Sequence, residues 1–232
     1  SVRDMRAKLI GLGIDCGGSA TRWVLRDGSA ILASGEAPAA NGHLSTPAAR
    51  SAFETMARAL RDTVTSRPDR LVTGVTGLGA GTPEAEAARA ILAEAFGLPP
   101  ERVRVGDDMW IAYRALFRPG DGHLVSAGSG SIGYHLAADG TAIRAGGRGM
   151  AIDDAGSAFW IGREALSLLL RRADADPDAG RRDALGEAVY AAVGSAAWPD
   201  IRSFVYADPR TRVASLAVSV AEAAHRGDGD AL

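Results

Sequence analysis

Two glycine- and serine-rich segments of the sequence could bind phosphate. The first is DCGGSAT at 15–21 and the second is GSGS at 128–131, and each follows an apolar run. Turns of this kind present backbone N–H groups to an anion, because glycine lets the backbone approach a ligand closely. The carboxylate of Asp15 could also hold a hydrated magnesium ion. Taken alone, each segment is equally compatible with an ordinary glycine-rich hairpin.

Two pairs of adjacent aspartates could act on a substrate. Asp107 and Asp108 stand between a predicted strand and a predicted helix. One carboxylate could cap the helix while the other accepts a proton from an attacking hydroxyl. Asp153 and Asp154 precede a further predicted helix, where capping is again the simplest role, although paired acids also suit a hydroxyl or an amine. The Asn41-Gly42 pair favours a turn.

Composition and missing motifs exclude several classes of function. The 232 residues include 26 Lys+Arg, 28 Asp+Glu, four His and one Cys. This near-neutral balance argues against a dedicated nucleic-acid binder. One cysteine excludes an intramolecular disulfide and a four-cysteine zinc site, and the scattered histidines argue against a histidine metal site. There is no Walker A loop, and no GxGxxG or GxSxG lies between a strand and a helix. We expect a cytoplasmic protein, since no signal peptide or membrane span is evident.

The elements that must position these residues follow from the apolar pattern. We predict strands at 8–15, 21–26, 30–36, 71–76 and 102–105, and helices at 46–67, at 83–96 and from Asp107 or Asp108 to about 117. Thr46-Pro47 and Thr82-Pro83 are typical helix starts. The order βββαβαβα predicts a mixed sheet with helices on its faces.

The second half of the chain begins the same pattern again. Strands are predicted at 123–127, 132–137 and 141–145, and helices at 158–172, 181–193 and 213–226. The glycines at 120 and 122 favour a boundary that gives two lobes, 1–120 and 121–232. Two phosphate-type hairpins in repeated meanders suggest a nucleotide held between the lobes.

These motifs in order, together with GGRGMAIDDAGSAFWIG at 146–162, resemble the BadF/BadG/BcrA/BcrD ATPase family. That family belongs to the superfamily of acetate and sugar kinases, heat-shock ATPases and actin, and the 146–162 segment is most similar to its glucosamine kinases. The resemblance implies a two-lobed, actin-like (ribonuclease H-like) α/β fold with duplicated βββαβα units. It also implies a kinase that uses ATP and Mg²⁺ to phosphorylate glucosamine or N-acetylglucosamine at the 6-hydroxyl.

The resemblance further assigns residues to roles. It makes Asp108 the catalytic aspartate and places Asp15 near magnesium. The nucleotide phosphates are assigned to Asp15, Gly17, Gly18, Ser19, Thr21, Gly128, Ser129, Gly130 and Ser131, and the sugar to Asn41, Gly79, Asp108, Ser129 and Asp154. Two positions depart from the family pattern, since Cys16 replaces a glycine and Ala155 replaces Glu or Gln.

Other interpretations stay open. The family's late Gly-Gly turn that holds adenosine does not occur before residue 232, so we expect an incomplete second lobe. A catalytically degenerate sugar- or nucleotide-binding regulator is one alternative. An ATPase activator of a 2-hydroxyacyl-CoA dehydratase is another, but its bridging [4Fe–4S] cluster needs two cysteines per subunit and this chain has only Cys16. The expected partners are ATP and a small amino sugar, with no nucleic acid and no membrane, and a homodimer is left open.

Overall fold

The computed structural model describes residues 9–79 and 81–231, which form two compact units. Unit 1 comprises the chain up to Asp121 together with Ala138–Gly140, and unit 2 comprises Gly122–Ala137 and the chain from Thr141 onward. Both units combine strands and helices, so the predicted α/β class is confirmed. None of the described helices is long and apolar enough to cross a membrane.

Unit 1 has the element order that the sequence predicted. The elements are β1 (Ile10–Cys16), β2 (Thr21–Asp27), β3 (Ala30–Ala37), α1 (Pro47–Thr63), β4 (Arg70–Val75), α2 (Pro83–Phe96), β5 (Val103–Asp107) and α3 (Asp108–Leu116). The strands form one sheet in the order β3-β2-β1-β4-β5. The meander β1-β2-β3 is antiparallel, whereas β4 pairs with β1 and β5 in parallel.

The register of the three parallel strands determines which residues share an edge. Cys16 lies beside Val75, and Val75 lies beside Asp107. Since β1, β4 and β5 run in the same direction, their carboxyl ends meet at one edge of the sheet, where ligands bind in open α/β sheets. The segments that follow these strands therefore emerge together.

Helices cover the two faces of this sheet unequally. One face carries the main core, in which Leu12, Ile14 and Leu71 pack with Phe53 of α1 and Leu92 of α2. The other face contacts α3. There α3 lies directly on two strand glycines: a Cβ at Gly74 would lie 2.1 Å from Ile111 Cγ2, and one at Gly106 would lie 2.6 Å from Trp110 Cδ2. The glycines thus let α3 approach the sheet.

The helix starts follow the Thr-Pro signals, but one helix end was predicted wrongly. The Thr46 and Thr82 hydroxyls accept from the Ala49 and Ala85 amides, each at 3.3 Å. Helix α1 ends at Thr63 rather than 67, with Val64 extended (φ −73°, ψ 110°). The β-branched run at 63–65 and the proline at 68 disfavour further helix.

Unit 2 begins with the second predicted meander. Its strands are β6 (Leu124–Ala127), β7 (Ser131–Leu136) and β8 (Ala142–Gly146), in the sheet order β6-β7-β8. The helices α4 (Ala158–Ala175), α5 (Ala184–Val193), α6 (Trp198–Ala207) and α7 (Pro209–His225) follow. Leu169, Val189, Ile201 and Leu216 join the four helices in a second core.

Two helix starts in this region differ from the prediction, and one helix was missed. Helix α5 begins at Ala184 rather than 181, because Asp183 accepts from the Gly186 amide at 2.7 Å and caps it there. Helix α7 begins at Pro209 rather than 213, after an Asp208 cap. Helix α6 was not predicted at all: it has ten residues, and its N-cap residue Ala197 makes no side-chain cap hydrogen bond.

Candidate functional site

The turn after β1 is closed by the backbone and open at its tip. The Gly17 amide donates to the Ala20 carbonyl at 3.1 Å, and a Cβ at Gly17 would lie only 2.9 Å from that oxygen. Gly18 and Ser19 are exposed, and a Cβ at Gly18 would have no neighbour within 4 Å. The tip therefore has space for a ligand to approach its backbone.

Two residues of the motif lie beneath this turn rather than on it. Cys16 and Thr21 are fully buried. The Thr21 hydroxyl donates to Cys16 Sγ at 3.6 Å, and the thiol donates to the Ala40 carbonyl at 3.5 Å. Burial raises the pKa of the Cys16 thiol, so it stays protonated. Thr21, expected near the phosphates, thus packs against the thiol that replaces the family's glycine.

The carboxylate of Asp15 is exposed at the end of β1 and has no partner among the described side chains of residues 9–79 and 81–231. No group of three or more His, Cys, Asp or Glu in these ranges could hold a metal by itself. Mg²⁺ commonly keeps several waters and is held by one or two carboxylates together with substrate phosphates. Asp15 fits that mode of binding.

The two aspartates after β5 have different roles. Asp107, only 9% exposed, accepts from the Trp110 amide at 2.6 Å and is the N-cap of α3. Asp108, the first residue of α3, accepts from the Met109 amide at 2.9 Å and from the Thr76 hydroxyl at 3.2 Å. Its carboxylate is half-buried at the carboxyl edge of the sheet. The sequence left open which aspartate caps the helix, and the structure assigns the cap to Asp107.

Thr76 links three of the segments at this edge. Its amide donates to the Cys16 carbonyl and its carbonyl accepts from the Gly42 amide, both at 2.9 Å, while its hydroxyl reaches Asp108. Asn41 precedes Gly42 and accepts from the His43 amide at 3.1 Å. Thr76 was not among the predicted site residues. The sequence did offer a signal: Thr76 directly follows β4, just as Asp108 directly follows the neighbouring parallel strand β5.

Gly79 lies at the entrance to α2, three residues beyond Thr76. Its carbonyl accepts from the Thr82 hydroxyl at 2.9 Å, and a Cβ there would lie 2.8 Å from Thr82 Cγ2. Three residues of unit 1 were expected to bind the sugar. Thr76 connects two of them, because it hydrogen-bonds to Asp108 and to Gly42, the neighbour of Asn41. The third, Gly79, is exposed and lies farther along the loop that follows Thr76.

In unit 2 the second glycine-serine turn is attached to the start of α4. The Gly128 amide donates to the Gly130 carbonyl, and the Gly128 carbonyl accepts from the Ala158 amide, both at 2.8 Å. The Ser131 hydroxyl donates to the Ala155 carbonyl at 2.7 Å. Gly128 and Ser129 are both exposed, and Ser129 forms the tip. The turn is thus fixed at its base and open at its tip, as in unit 1.

The loop at 146–157 brings Asp154 to this turn. A Cβ at Gly130 would lie 2.9 Å from Asp154 Oδ2, and the Gly149 amide donates to Asp154 Oδ1 at 3.1 Å. Asp154 is only 8% exposed, whereas its neighbour Asp153 pairs with Arg148 at 3.2 Å. Four glycines of the loop have positive φ, between 67° and 98°: Gly146, Gly147, Gly149 and Gly156.

Helix capping by the second aspartate pair was the wrong expectation. The N-cap of α4 is Ser157, which is buried and whose hydroxyl accepts from the Trp160 amide at 3.1 Å. Asp154 and Asp153 instead accept hydrogen bonds from Gly149 and Arg148 of the same loop. The glycine at 156, with φ +75°, allows the chain to turn between Asp154 and the cap.

Solved structures with a similar fold are known. A protein from Chromobacterium violaceum, provisionally named an N-acetylglucosamine kinase, has a TM-score of 0.66 and 25% identity over 97% of this chain and 77% of its own. A protein from Porphyromonas gingivalis with the same provisional name has a TM-score of 0.66 and 20% identity over 95% of this chain and 74% of its own. At 20% identity, the similarity to the Porphyromonas gingivalis protein shows a shared fold only. No protein of curated function matches the sequence.

The sequence profile of one family covers nearly the whole chain. The profile of the BadF/BadG/BcrA/BcrD ATPase family matches residues 12–232, which include both glycine-serine turns, the Asp107-Asp108 pair and the 146–157 loop. With this match and with a fold shared by the two solved structures, the chain belongs to the BadF/BadG/BcrA/BcrD ATPase family.

Proposed function

We propose that this protein is a sugar kinase that transfers the γ-phosphoryl group of ATP, in the presence of Mg²⁺, to the 6-hydroxyl of an amino sugar. Membership of an ATPase family supports the use of ATP. The name given to the Chromobacterium violaceum protein supports an amino-sugar acceptor, with glucosamine and N-acetylglucosamine as the candidates.

The placement of Asp108 is the observation that carries this proposal. It stands at the carboxyl edge of three parallel strands, and the adjacent Asp107 already caps the helix. Because Asp107 caps the helix, the Asp108 carboxylate is available to contact a substrate. The Thr76 hydroxyl and the Met109 amide each donate to one of its oxygens and fix its orientation.

The chemistry proposed for Asp108 is general-base catalysis. The sugar hydroxyl oxygen forms a bond to the γ-phosphorus while the bond from that phosphorus to the leaving oxygen of ADP breaks, and the hydroxyl proton passes to the Asp108 carboxylate. A positioned base of this kind contributes about 10²–10⁴-fold to the rate. Donors on both oxygens hold the carboxylate in place without occupying all of its lone pairs.

The two glycine-serine turns are proposed to hold the phosphates of ATP. Gly18 and Ser19 in unit 1, and Ser129 in unit 2, form exposed tips on bases fixed by hydrogen bonds. Backbone N–H groups in such turns stabilise phosphate oxygens. Magnesium, held through water by Asp15, would neutralise charge on these phosphates.

The acids of the 146–157 loop support an amino group on the acceptor. Asp153 is neutralised by Arg148, whereas Asp154 has no cationic partner within the described part of the chain. An anion next to the exposed Gly128–Ser129 tip suits an ammonium group of glucosamine. We therefore place glucosamine ahead of N-acetylglucosamine as the acceptor.

A panel of acceptors tests this function. The purified protein is incubated with ATP and Mg²⁺ and with glucosamine, N-acetylglucosamine or glucose, and the product is identified by mass spectrometry and by ³¹P–¹H NMR. We expect a 6-phosphate of glucosamine, with glucose as the poorest acceptor. Hydrolysis of ATP without sugar phosphate, or equal transfer to glucose, would contradict the proposal.

A further inference from the structure

A second concave surface of unit 1 lies at the end of the sheet opposite to Asp108. This arginine cavity has a volume of about 460 Å³ and is lined by Arg70, Arg102, Arg104 and Arg114. Arg70 is the first residue of β4, Arg102 directly precedes β5, Arg104 is the second residue of β5, and Arg114 belongs to α3. The amino ends of two parallel strands and the carboxyl end of α3 thus bring four cations together.

The positive charge of the arginine cavity is not balanced by its own acids. Asp69 and Glu101 also line it, so the surplus is two positive charges. Asp69 already accepts from the Ile10 amide at 2.8 Å. Within residues 9–79 and 81–231, none of the four guanidinium groups forms an ion pair, and all four are exposed. Arg114 instead stacks over the Trp110 ring at 5.1 Å.

The chemistry of the lining favours one class of ligand. Guanidinium groups donate two parallel hydrogen bonds to phosphate or carboxylate oxygens, and several of them together suit a dianionic phosphate. Leu9 and Val72 give the cavity an apolar part, and the carboxylate of Glu101 can accept from hydroxyl groups. The volume lies within the usual range for small-molecule sites. We propose that the arginine cavity binds a small phosphorylated sugar at a site separate from the carboxyl edge.

Helix α3 connects this cavity to the carboxyl edge. Asp108 is its first residue, and Arg114 lies in its last turn. Between them, Trp110 and Ile111 lie so close to Gly106 and Gly74 that a Cβ at either glycine would clash with α3. A ligand that binds Arg114 can therefore change the position of α3, and with it the position of Asp108. This coupling to catalysis rests on the proposed function, whereas binding to the cavity does not.

Calorimetric titration with glucose 6-phosphate tests the binding, with glucose and inorganic phosphate as comparison ligands. We expect glucose 6-phosphate to bind more tightly than either. The double variant Arg102→Ala/Arg104→Ala should weaken that binding about tenfold or more, because it removes two charge-assisted contacts. The matched double variant Arg50→Ala/Arg58→Ala removes two exposed arginines of α1, which packs on the other face of the sheet, and should bind as the wild type does.

Unchanged affinity in Arg102→Ala/Arg104→Ala, with a wild-type unfolding midpoint, would place the ligand elsewhere and overturn the proposal. Equal affinity for inorganic phosphate would do the same, since it would indicate an unspecific anion site. Hydrogen exchange supplies a readout independent of catalysis: glucose 6-phosphate should slow exchange of the α3 amides in the wild type and not in the variant. If binding and protection are seen but no sugar is phosphorylated, the proposed function fails and the cavity assignment stands.

Discussion

Gly74 offers a direct test of how α3 holds Asp108. A Cβ at Gly74 would lie 2.1 Å from Ile111 Cγ2 and 2.8 Å from Ile111 Cβ. Carbon atoms in favourable contact lie about 3.5–4.0 Å apart, so Gly74→Ala leaves the closer pair short by about 1.4 Å. The strand is held on both sides by β1 and β5, so α3 must give way.

Two magnitudes follow from this displacement. Overpacking of this kind costs about 1–3 kcal/mol of the free energy of unfolding. With a urea dependence of about 2 kcal/mol per molar, the midpoint should fall by roughly 0.5–1.5 M. A shift of a catalytic group by about 1 Å can cost about 10²-fold in rate, so we expect kcat to fall by that order.

Gly11→Ala is the matched control. Gly11 occupies the same face of the neighbouring strand, paired with Arg70, and a Cβ there would meet only Arg70 Cγ at an ordinary 3.8 Å. Its urea midpoint and kcat should stay near wild type. The double variant Gly74→Ala/Ile111→Ala should recover part of the lost stability, since it removes Cγ2, the closer of the two clashing Ile111 atoms. A Gly74→Ala protein as stable as Gly11→Ala, or no recovery in the double variant, would refute the reasoning.

The remaining predictions concern caps, burial and charge. Asp107→Ala should lose about 1 kcal/mol of stability in urea unfolding, as removal of an N-cap does, and Ser157→Ala should lose a similar amount; no loss in either would contradict the cap assignments. Cys16 should resist thiol reagents in the native protein. Burial raises the pKa of its thiol, so the thiol of the unfolded chain ionises at a lower pH than that of the folded protein. The free energy of unfolding should therefore decline more steeply above about pH 8.5 in the wild type than in Cys16→Ala. Equal slopes would contradict that burial effect. Asp154→Asn should raise KM for glucosamine more than KM for N-acetylglucosamine in steady-state assays, and an equal change would remove Asp154 from recognition of the amine.

Local signals in the sequence were sufficient for most of the fold. Thr46-Pro47 and Thr82-Pro83 predicted the starts of α1 and α2, because the cap and the fixed φ of proline act within a single turn. The order of elements in unit 1 was confirmed for the same reason. Helix α6 was missed because Ala197 gives no cap signal and only Ile201 is buried in the helix.

Features that depend on tertiary contacts were not predictable in this way. Two adjacent aspartates have the same local chemistry, and only the position of Thr76 on the neighbouring strand separates Asp108 from Asp107. The close approach of α3 to Gly74 likewise joins residues that are distant in sequence. The arginine cavity is lined by residues from three parts of the chain, and its four arginines show no spacing pattern along the sequence.

The most direct test of the proposed function compares Asp108→Asn with Asp107→Asn. Asparagine is as good an N-cap as aspartate, so Asp107→Asn should keep α3 folded and kcat near wild type. Asp108→Asn keeps the shape of the side chain but cannot accept the proton, and formation of glucosamine 6-phosphate should fall about 10²–10⁴-fold. Equal rates in the two variants, measured at saturating ATP and glucosamine, would contradict the assignment of Asp108 as the base.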